Sequence, residues 1–175
     1  MRDDPAAHVF IDGACEDEGR SVTCGAVIFP VHGRPRFFGL LIPGAICDAR
    51  RAPGKVQLVG QAELFPRVVA ALTWPDLLRD HLVIWWHDNE SARAASIRGY
   101  SPVLESCRIL AEAAVCEAGL HCRSWFARVP TASNVSDPAS RLDWPEVWRL
   151  VPGAVQSEPV LLKEWAQLLS APAQG

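Results

Sequence analysis

Residues 8–15 read HVFIDGAC, and residues 22–29 read VTCGAVIF. Both are short apolar runs that contain β-branched residues, and the polar segment EDEGR at 16–20 separates them. A third run, RFFGLLI at 36–42, follows a turn-like stretch that contains Gly33 and Pro35. Three short strands joined by short polar turns predict an antiparallel meander at the start of the chain.

The hydrophobic pattern changes after this meander. Apolar residues between positions 57 and 74 recur at helical spacing, namely at Leu64, Phe65, Val68, Val69 and Leu72. Pro66 lies inside this segment and lacks a backbone donor, so the helix is expected to start late or to kink beside Glu63.

A second set of elements follows. HLVIWWH at 81–87 is typical of a buried strand, Ser91 to Arg98 of a short helix, and HCRSWFAR at 121–128 of a fifth strand. Between the last two, a helix is expected from an N-cap at Ser101 to about Glu117, with Gly119 as its stop. A last helix is predicted at about 159–169.

Together these elements predict an α/β fold. A meander followed by strand–helix–strand units gives a mixed sheet of five strands in the order 3-2-1-4-5, with strand 2 antiparallel and helices packed on the sheet. The 175 residues, 49% of them hydrophobic, suit a single domain over 1–175.

Composition also limits location and redox chemistry. No apolar stretch approaches the length of about 18 residues that a membrane span needs, and the acidic start MRDDPAAHVF does not resemble a signal peptide. We therefore expect an intracellular protein, cytoplasmic or nuclear, with no membrane partner. Six cysteines without a C-x-x-C pair are expected to be buried or neutral thiols.

The charge balance argues against tight nucleic-acid binding. The chain has 17 basic and 20 acidic residues, a net charge of −3, whereas proteins that neutralise phosphates usually carry a basic excess. If this chain handles nucleic acid, metal ions must offset its carboxylates or a neighbouring domain must supply the affinity.

Four acidic residues fall at the ends of predicted elements: Asp12, Glu63, Asp88 and Asp137. Strands one and four are neighbours in the predicted order, so Asp12 and Asp88 would lie side by side, with Glu63 and Asp137 brought to the same edge. Such carboxylates repel one another unless a cation lies among them. Two Mg²⁺ ions, replaceable by Mn²⁺, would suit these hard oxygen ligands and would support phosphodiester hydrolysis.

Purely structural roles for these acids stay open on position alone. Asp88-Asn89 can cap a helix, Asp12-Gly13 can form a turn at a strand end, and Asp137 can begin a helix.

The order of the motifs resembles ribonuclease H. The resemblance rests on Phe10-Ile11-Asp12-Gly13-Ala14, Gln61-Ala62-Glu63-Leu64, Asp88-Asn89, and the segment Trp125 to Arg141 with its Val129-Pro130, Asn134 and Asp137. The last segment is similar to the ribonuclease H-like region of retroelement reverse transcriptases, in particular to those of the tyrosine-recombinase (DIRS-like) group. The resemblance covers about residues 8–145, which leaves 146–175 as a C-terminal extension.

The resemblance implies a metal-dependent endoribonuclease that cleaves the RNA strand of RNA–DNA hybrids. It assigns catalysis and metal binding to Asp12, Glu63, Asp88 and Asp137. It also implies that a reverse transcriptase or polymerase domain of the same polyprotein is a partner. Candidate substrate contacts are Gly13, Ala14, Gln61, Asn89, Asn134 and Arg141.

Structural alternatives remain for the candidate substrate contacts. Asn89 can cap the next helix, Asn134 can form an Asx turn, and Arg141 can pair with Asp143.

Two departures from the family weaken the expectation of efficient free-standing turnover. Many members carry a histidine in the loop before the last aspartate, but no residue between Val129 and Asp137 is histidine. Many also carry a basic helical protrusion, for which Gly99 to Pro102 leaves no room.

Two further functions remain open. One is a nuclease of this fold that acts on DNA, although exonucleases of the fold usually carry Asp-x-Glu where this chain has Asp12-Gly13-Ala14. The other is a non-catalytic scaffold or binding domain.

Overall fold

The computed structural model describes residues 5–16, 21–49 and 59–165. Its centre is a mixed sheet of six strands in the order β5-β4-β1-β2-β3-β6. The strands are β1 Ala6–Glu16, β2 Ser21–Phe29, β3 Arg36–Leu41, β4 Leu82–His87, β5 Arg123–Arg128 and β6 Val155–Gln156.

The sheet confirms the predicted fold class and order. β2 runs antiparallel to β1 and β3, whereas β4 pairs in parallel with both β1 and β5. The prediction of five strands is wrong by one, because the two-residue β6 pairs in parallel with β3. Val155 N–H donates to Pro35 O and Ser157 N–H to Phe37 O, so part of the C-terminal extension completes the sheet edge.

Helices cover both faces of this sheet. They are α1 Gly44–Ala49, α2 Val59–Ala62, α3 Phe65–Thr73, α4 Pro75–Leu78, α5 Glu90–Arg98, α6 Leu104–Leu120, α7 Asp137–Ser140 and α8 Trp144–Leu150.

The expected break beside Glu63 is present. The helix stops at Ala62 and resumes at Phe65 as α3, with Pro66 in the first turn, where its missing N–H leaves no bond unmade.

Three predicted helix boundaries need correction. Ser101 is not the N-cap of α6. Its hydroxyl accepts from Val103 N–H, and the helix starts at Leu104. Gly119 does not end α6, because His121 takes the left-handed conformation (φ 53°) one residue after Leu120. Of the helix predicted at about 159–169, residues 163–165 are helical, residues 159–162 are not, and 166–169 lie outside the described residues.

The core has one cluster on each face of the sheet. Alternate residues of β1, Ala7, Val9 and Ile11, point into the larger cluster, where they pack with α3 and α6. The smaller cluster joins Val27 and Phe37 to α7 and α8. Because side chains alternate along a strand, Asp12 points to the same face as this smaller cluster. No helix among the described residues is long and apolar enough to cross a membrane.

Buried charge in the larger cluster is paired. The Arg67 guanidinium makes a bidentate contact with Glu117, and Ser124 Oγ donates to the same carboxylate at 2.6 Å. Arg67 also lies over the ring of Phe126, 4.5 Å from its centroid. This network ties α3, α6 and β5 together.

Candidate metal and nucleic-acid site

The pairing of β1 with β4 brings Asp12 and Asp88 together. The parallel register places Phe10 opposite Trp86, and each aspartate follows two residues later on its own segment. Because parallel strands present equivalent ends at the same edge, the two carboxylates converge there. Asp12 is buried, with 7% of its surface exposed, and Asp88 is partly buried.

Glu63 reaches the same point from the break between α2 and α3. The close approach depends on Gly13, where a Cβ atom would lie 2.1 Å from Ala62 O and 2.7 Å from Glu63 N. Only glycine lets β1 touch the end of α2 in this way, because any other residue would push the helix and Glu63 away.

Oxygen atoms of Asp12, Glu63 and Asp88 lie within 4.8 Å of one another. Three clustered carboxylates on rigid elements form an all-oxygen donor set of the kind that holds Mg²⁺ or Mn²⁺. The residues therefore fit a divalent metal centre.

Burial and mutual repulsion make the ionised forms of Asp12 and Glu63 less stable than those of free carboxylates. Burial, opposed by a hydrogen bond from Ser140 and reinforced by repulsion from Asp88 and Asp137, raises the pKa of Asp12 to about 6. Burial and repulsion from Asp12 and Asp88 raise the pKa of Glu63 to about 8. A cation among these groups would remove both the repulsion and part of the desolvation cost.

Asp137 lies beside this cluster without completing it. It begins α7 and is close enough for its charge to raise the pKa of Asp12. Its carboxylate accepts from Arg141 Nε, with N···O distances of 3.1 and 3.2 Å. A metal ion bound by Asp137 would therefore compete with this guanidinium. Arg141 therefore pairs with Asp137, whereas the sequence left a pairing with Asp143 open.

The candidate substrate residues occupy different environments. Ala14 is partly exposed beside the cluster. At Gly13, backbone atoms of Ala62 and Glu63 occupy the space that a side chain would take. Asn89 is partly exposed and caps α5, accepting from Ala92 N–H, while its side chain also hydrogen-bonds to Glu63.

The remaining candidates differ in exposure. Asn134 is buried. It donates to Ile11 O at 3.3 Å and accepts from Ser136, so it anchors the loop after β5 to β1. Arg141 is exposed beside Asp137.

Gln61 faces an open groove of about 640 Å³ next to the carboxylates. Residues of α2, α5 and the start of α6 line it, including Gly60, Glu90, Arg98 and Ser106. Its lining includes Gln61 and Leu64, which flank Glu63 in the chain, but none of the three carboxylates.

Two further residues, which the sequence left without a role, are Ser140, which contacts the site, and His87, which lies next to Asp88 in the chain. Ser140 Oγ donates to Asp12 Oδ2, and its position one helical turn after Asp137 was the available signal. His87, directly before Asp88, is 1% exposed, and neither ring nitrogen has a hydrogen-bond partner among the described residues. Burial and the positive charges of Arg67 and Arg93 lower the pKa of His87 to about 3, so its ring is neutral.

Comparison with solved structures identifies the fold. The ribonuclease H1 of Halobacterium salinarum NRC-1 matches with a TM-score of 0.59 and 19% identity, over 77% of this chain and 96% of that one. The N-terminal ribonuclease H domain of a Mycobacterium tuberculosis protein matches at 0.58 and 10% identity, over 82% and 96%. LC11 ribonuclease H1, isolated from compost, matches at 0.53 and 16% identity, over 79% and 97%.

This chain therefore has the ribonuclease H fold. No protein-family model and no curated protein matches its sequence.

Proposed function

We propose that this protein is a divalent-metal-dependent ribonuclease H that cleaves the RNA strand of RNA–DNA hybrids. The observation that carries the proposal is the convergence of Asp12, Glu63 and Asp88 within 4.8 Å on a ribonuclease H fold. Asp137 lies next to them, at the start of α7.

The four acids would divide the work of holding two metal ions. Asp12, on the central strand, would bind both ions. Glu63 would hold the ion nearer the leaving group, and Asp88 with Asp137 would hold the other. The bound ions supply an activated water and stabilise the leaving oxygen.

Protein groups around the acids would orient the substrate. Asn89 and Gln61 adjoin Glu63 and can donate hydrogen bonds to the sugar of the attacked strand. A 2′-OH is the feature that distinguishes RNA from DNA at such a position. Arg141, exposed beside Asp137, can contact a phosphate once the carboxylate binds metal.

The proposal includes a partner, a reverse transcriptase or polymerase domain of the same retroelement polyprotein. If two divalent ions neutralise four of the 20 acids, 17 basic residues face 16 acidic ones. The remaining charge is about neutral, so we expect the isolated chain to bind a hybrid weakly and with a small salt dependence. A neighbouring basic domain would supply the missing affinity.

The test is cleavage of end-labelled RNA–DNA hybrid in Mg²⁺ or Mn²⁺, with double-stranded DNA and double-stranded RNA of the same sequence in parallel. The wild type should cut only the RNA strand of the hybrid, and Asp88→Asn should lose that cleavage. Asp76→Asn is the matched control, because Asp76 is exposed in α4, outside the acidic cluster. It should cleave like the wild type.

Three outcomes would contradict the proposal. Equal cleavage by wild type and Asp88→Asn would show a contaminating nuclease or a different site. Preferential cleavage of duplex DNA would favour a DNA nuclease. Absence of cleavage in every substrate, with Mn²⁺ present and a polymerase domain added, would favour a non-catalytic domain.

A further inference from the structure

Glycines in two strands form a flat seat for α7 beside Asp12. The strand register places Asp12 opposite Gly25, and Gly25 opposite Gly39, in one row across β1, β2 and β3. A Cβ atom at Gly25 would lie 2.3 Å from Ser140 N, and one at Gly39 would lie 2.2 Å from Ala139 O. The backbone of α7 therefore rests directly on the backbone of the sheet.

This seat buries Ser140 completely and directs its hydroxyl at the site. Ser140 Oγ donates to Asp12 Oδ2, and it also lies 2.8 Å from Asp137 O. A hydroxyl has one hydrogen to donate, and an ionised carboxylate is a stronger acceptor than a peptide carbonyl. The contact with Asp12 therefore dominates when Asp12 is charged.

We propose that Ser140 is a positioning residue that fixes the carboxylate of Asp12 in the orientation that binds divalent metal. The inference rests on the proposed function, since it concerns the same site. A hydrogen bond to one oxygen stops rotation of the carboxylate and leaves lone pairs on both oxygens for metal. Such outer partners of metal ligands orient the ligand and raise metal affinity.

The neutral character of Ser140 matters at this position. A positively charged donor such as Arg or Lys at this position would compete with the metal ions for Asp12. A serine hydroxyl satisfies one lone pair and adds no charge.

The experiment measures Mn²⁺ affinity directly, by calorimetry and by electron paramagnetic resonance of free Mn²⁺, on the whole chain without nucleic acid. Ser140→Ala should weaken Mn²⁺ binding roughly 10- to 100-fold. Ser136→Ala is the matched control, because Ser136 is equally buried in the same segment but its hydroxyl bonds to Asn134 instead of a carboxylate. It should keep the wild-type affinity.

A double-mutant cycle tests whether Ser140 acts through Asp12. In an Asp12→Asn background, Ser140→Ala should cause no further loss of Mn²⁺ affinity. Thermal unfolding of each variant without metal shows whether it is folded, so a general loss of structure is recognised.

The outcomes separate this inference from the proposed function. If the wild type does not bind Mn²⁺, both are overturned. If the wild type binds Mn²⁺ and Ser140→Ala binds it equally well, only the role of Ser140 is overturned. The same holds if Ser136→Ala weakens binding as much as Ser140→Ala, or if the loss persists in the Asp12→Asn background.

Discussion

Glu63 makes the metal-free protein lose stability as the pH rises. Its pKa is raised in the folded state from 4.5 to about 8, mainly by burial and then by the charges of Asp12 and Asp88. A carboxyl whose pKa is raised on folding contributes full stability below its unfolded pKa, and that stability is lost as the pH approaches the folded pKa. We therefore expect the unfolding free energy in EDTA to fall between pH 6.5 and 8.

The size of this fall follows from the proton balance. Over this interval Glu63 is ionised in the unfolded chain but still largely protonated in the fold, and one proton changes stability by about 1.4 kcal/mol per pH unit. The pKa of Asp12, raised to about 6, makes the protein less stable as the pH rises, whereas the pKa of His87, lowered to about 3, makes it more stable. Most of both effects occurs below pH 6.5. The net loss of stability between pH 6.5 and 8 is therefore about 1.5 kcal/mol.

The assay is urea denaturation followed by tryptophan fluorescence at pH 6.5, 7.2 and 8, in EDTA and in excess Mg²⁺. The fall should appear in EDTA, disappear in Mg²⁺, and be absent from Glu63→Gln in either buffer. A stability that is flat or rising with pH in EDTA, or an equal fall in Glu63→Gln, would refute the assignment of a buried, charge-repelled Glu63.

The remaining predictions concern packing and capping, each measured by urea denaturation. Gly25→Ala should lower the free energy of unfolding by about 1–3 kcal/mol or more, because the added Cβ would collide with α7. Gly119→Ala in α6 is the control and should not lower it, because the space around Gly119 is open. Equal effects of the two substitutions would contradict the close packing of α7 on the sheet. Arg67→Met should cost about 3–5 kcal/mol by leaving the Glu117 carboxylate buried without its guanidinium, and adding Glu117→Gln should restore part of that loss; full additivity would count against coupling. Asn89→Ala should cost about 1 kcal/mol through the lost cap of α5, and an unchanged unfolding midpoint would show that the cap is not used.

The sheet could be predicted because its signals are local and repeated. Short apolar strands with polar turns gave the meander, and the right-handed rule for parallel connections gave the order around β1 and β4. That order alone places Asp12 next to Asp88. β6 was missed because two residues carry no recognisable period, and its pairing depends on where α8 returns the chain to β3.

The fine structure of the site depends on contacts between distant segments. The close packing of Ala62 against Gly13 depends on how α2 is positioned along β1, which the spacing of residues in the sequence does not specify. The partners of Ser140 and Arg141 depend on how α7 is rotated on the glycine row. The sequence pattern therefore predicts which acidic residues lie at the same edge of the sheet. Which side chains form hydrogen bonds with those acids depends on the packing of distant backbone segments.

The central position of β1 has a consequence for folding kinetics. The β1–β2 pairing joins neighbouring segments, whereas the β1–β4 pairing closes a long connection whose described part contains β2, β3 and four helices. Contacts between distant residues form slowly because the loop entropy must be lost first. Asp12 and Asp88 come together only when β1 pairs with β4. During refolding, Mn²⁺ binding should therefore appear after the β1–β2 hairpin has formed, and its appearance should mark the completion of the sheet.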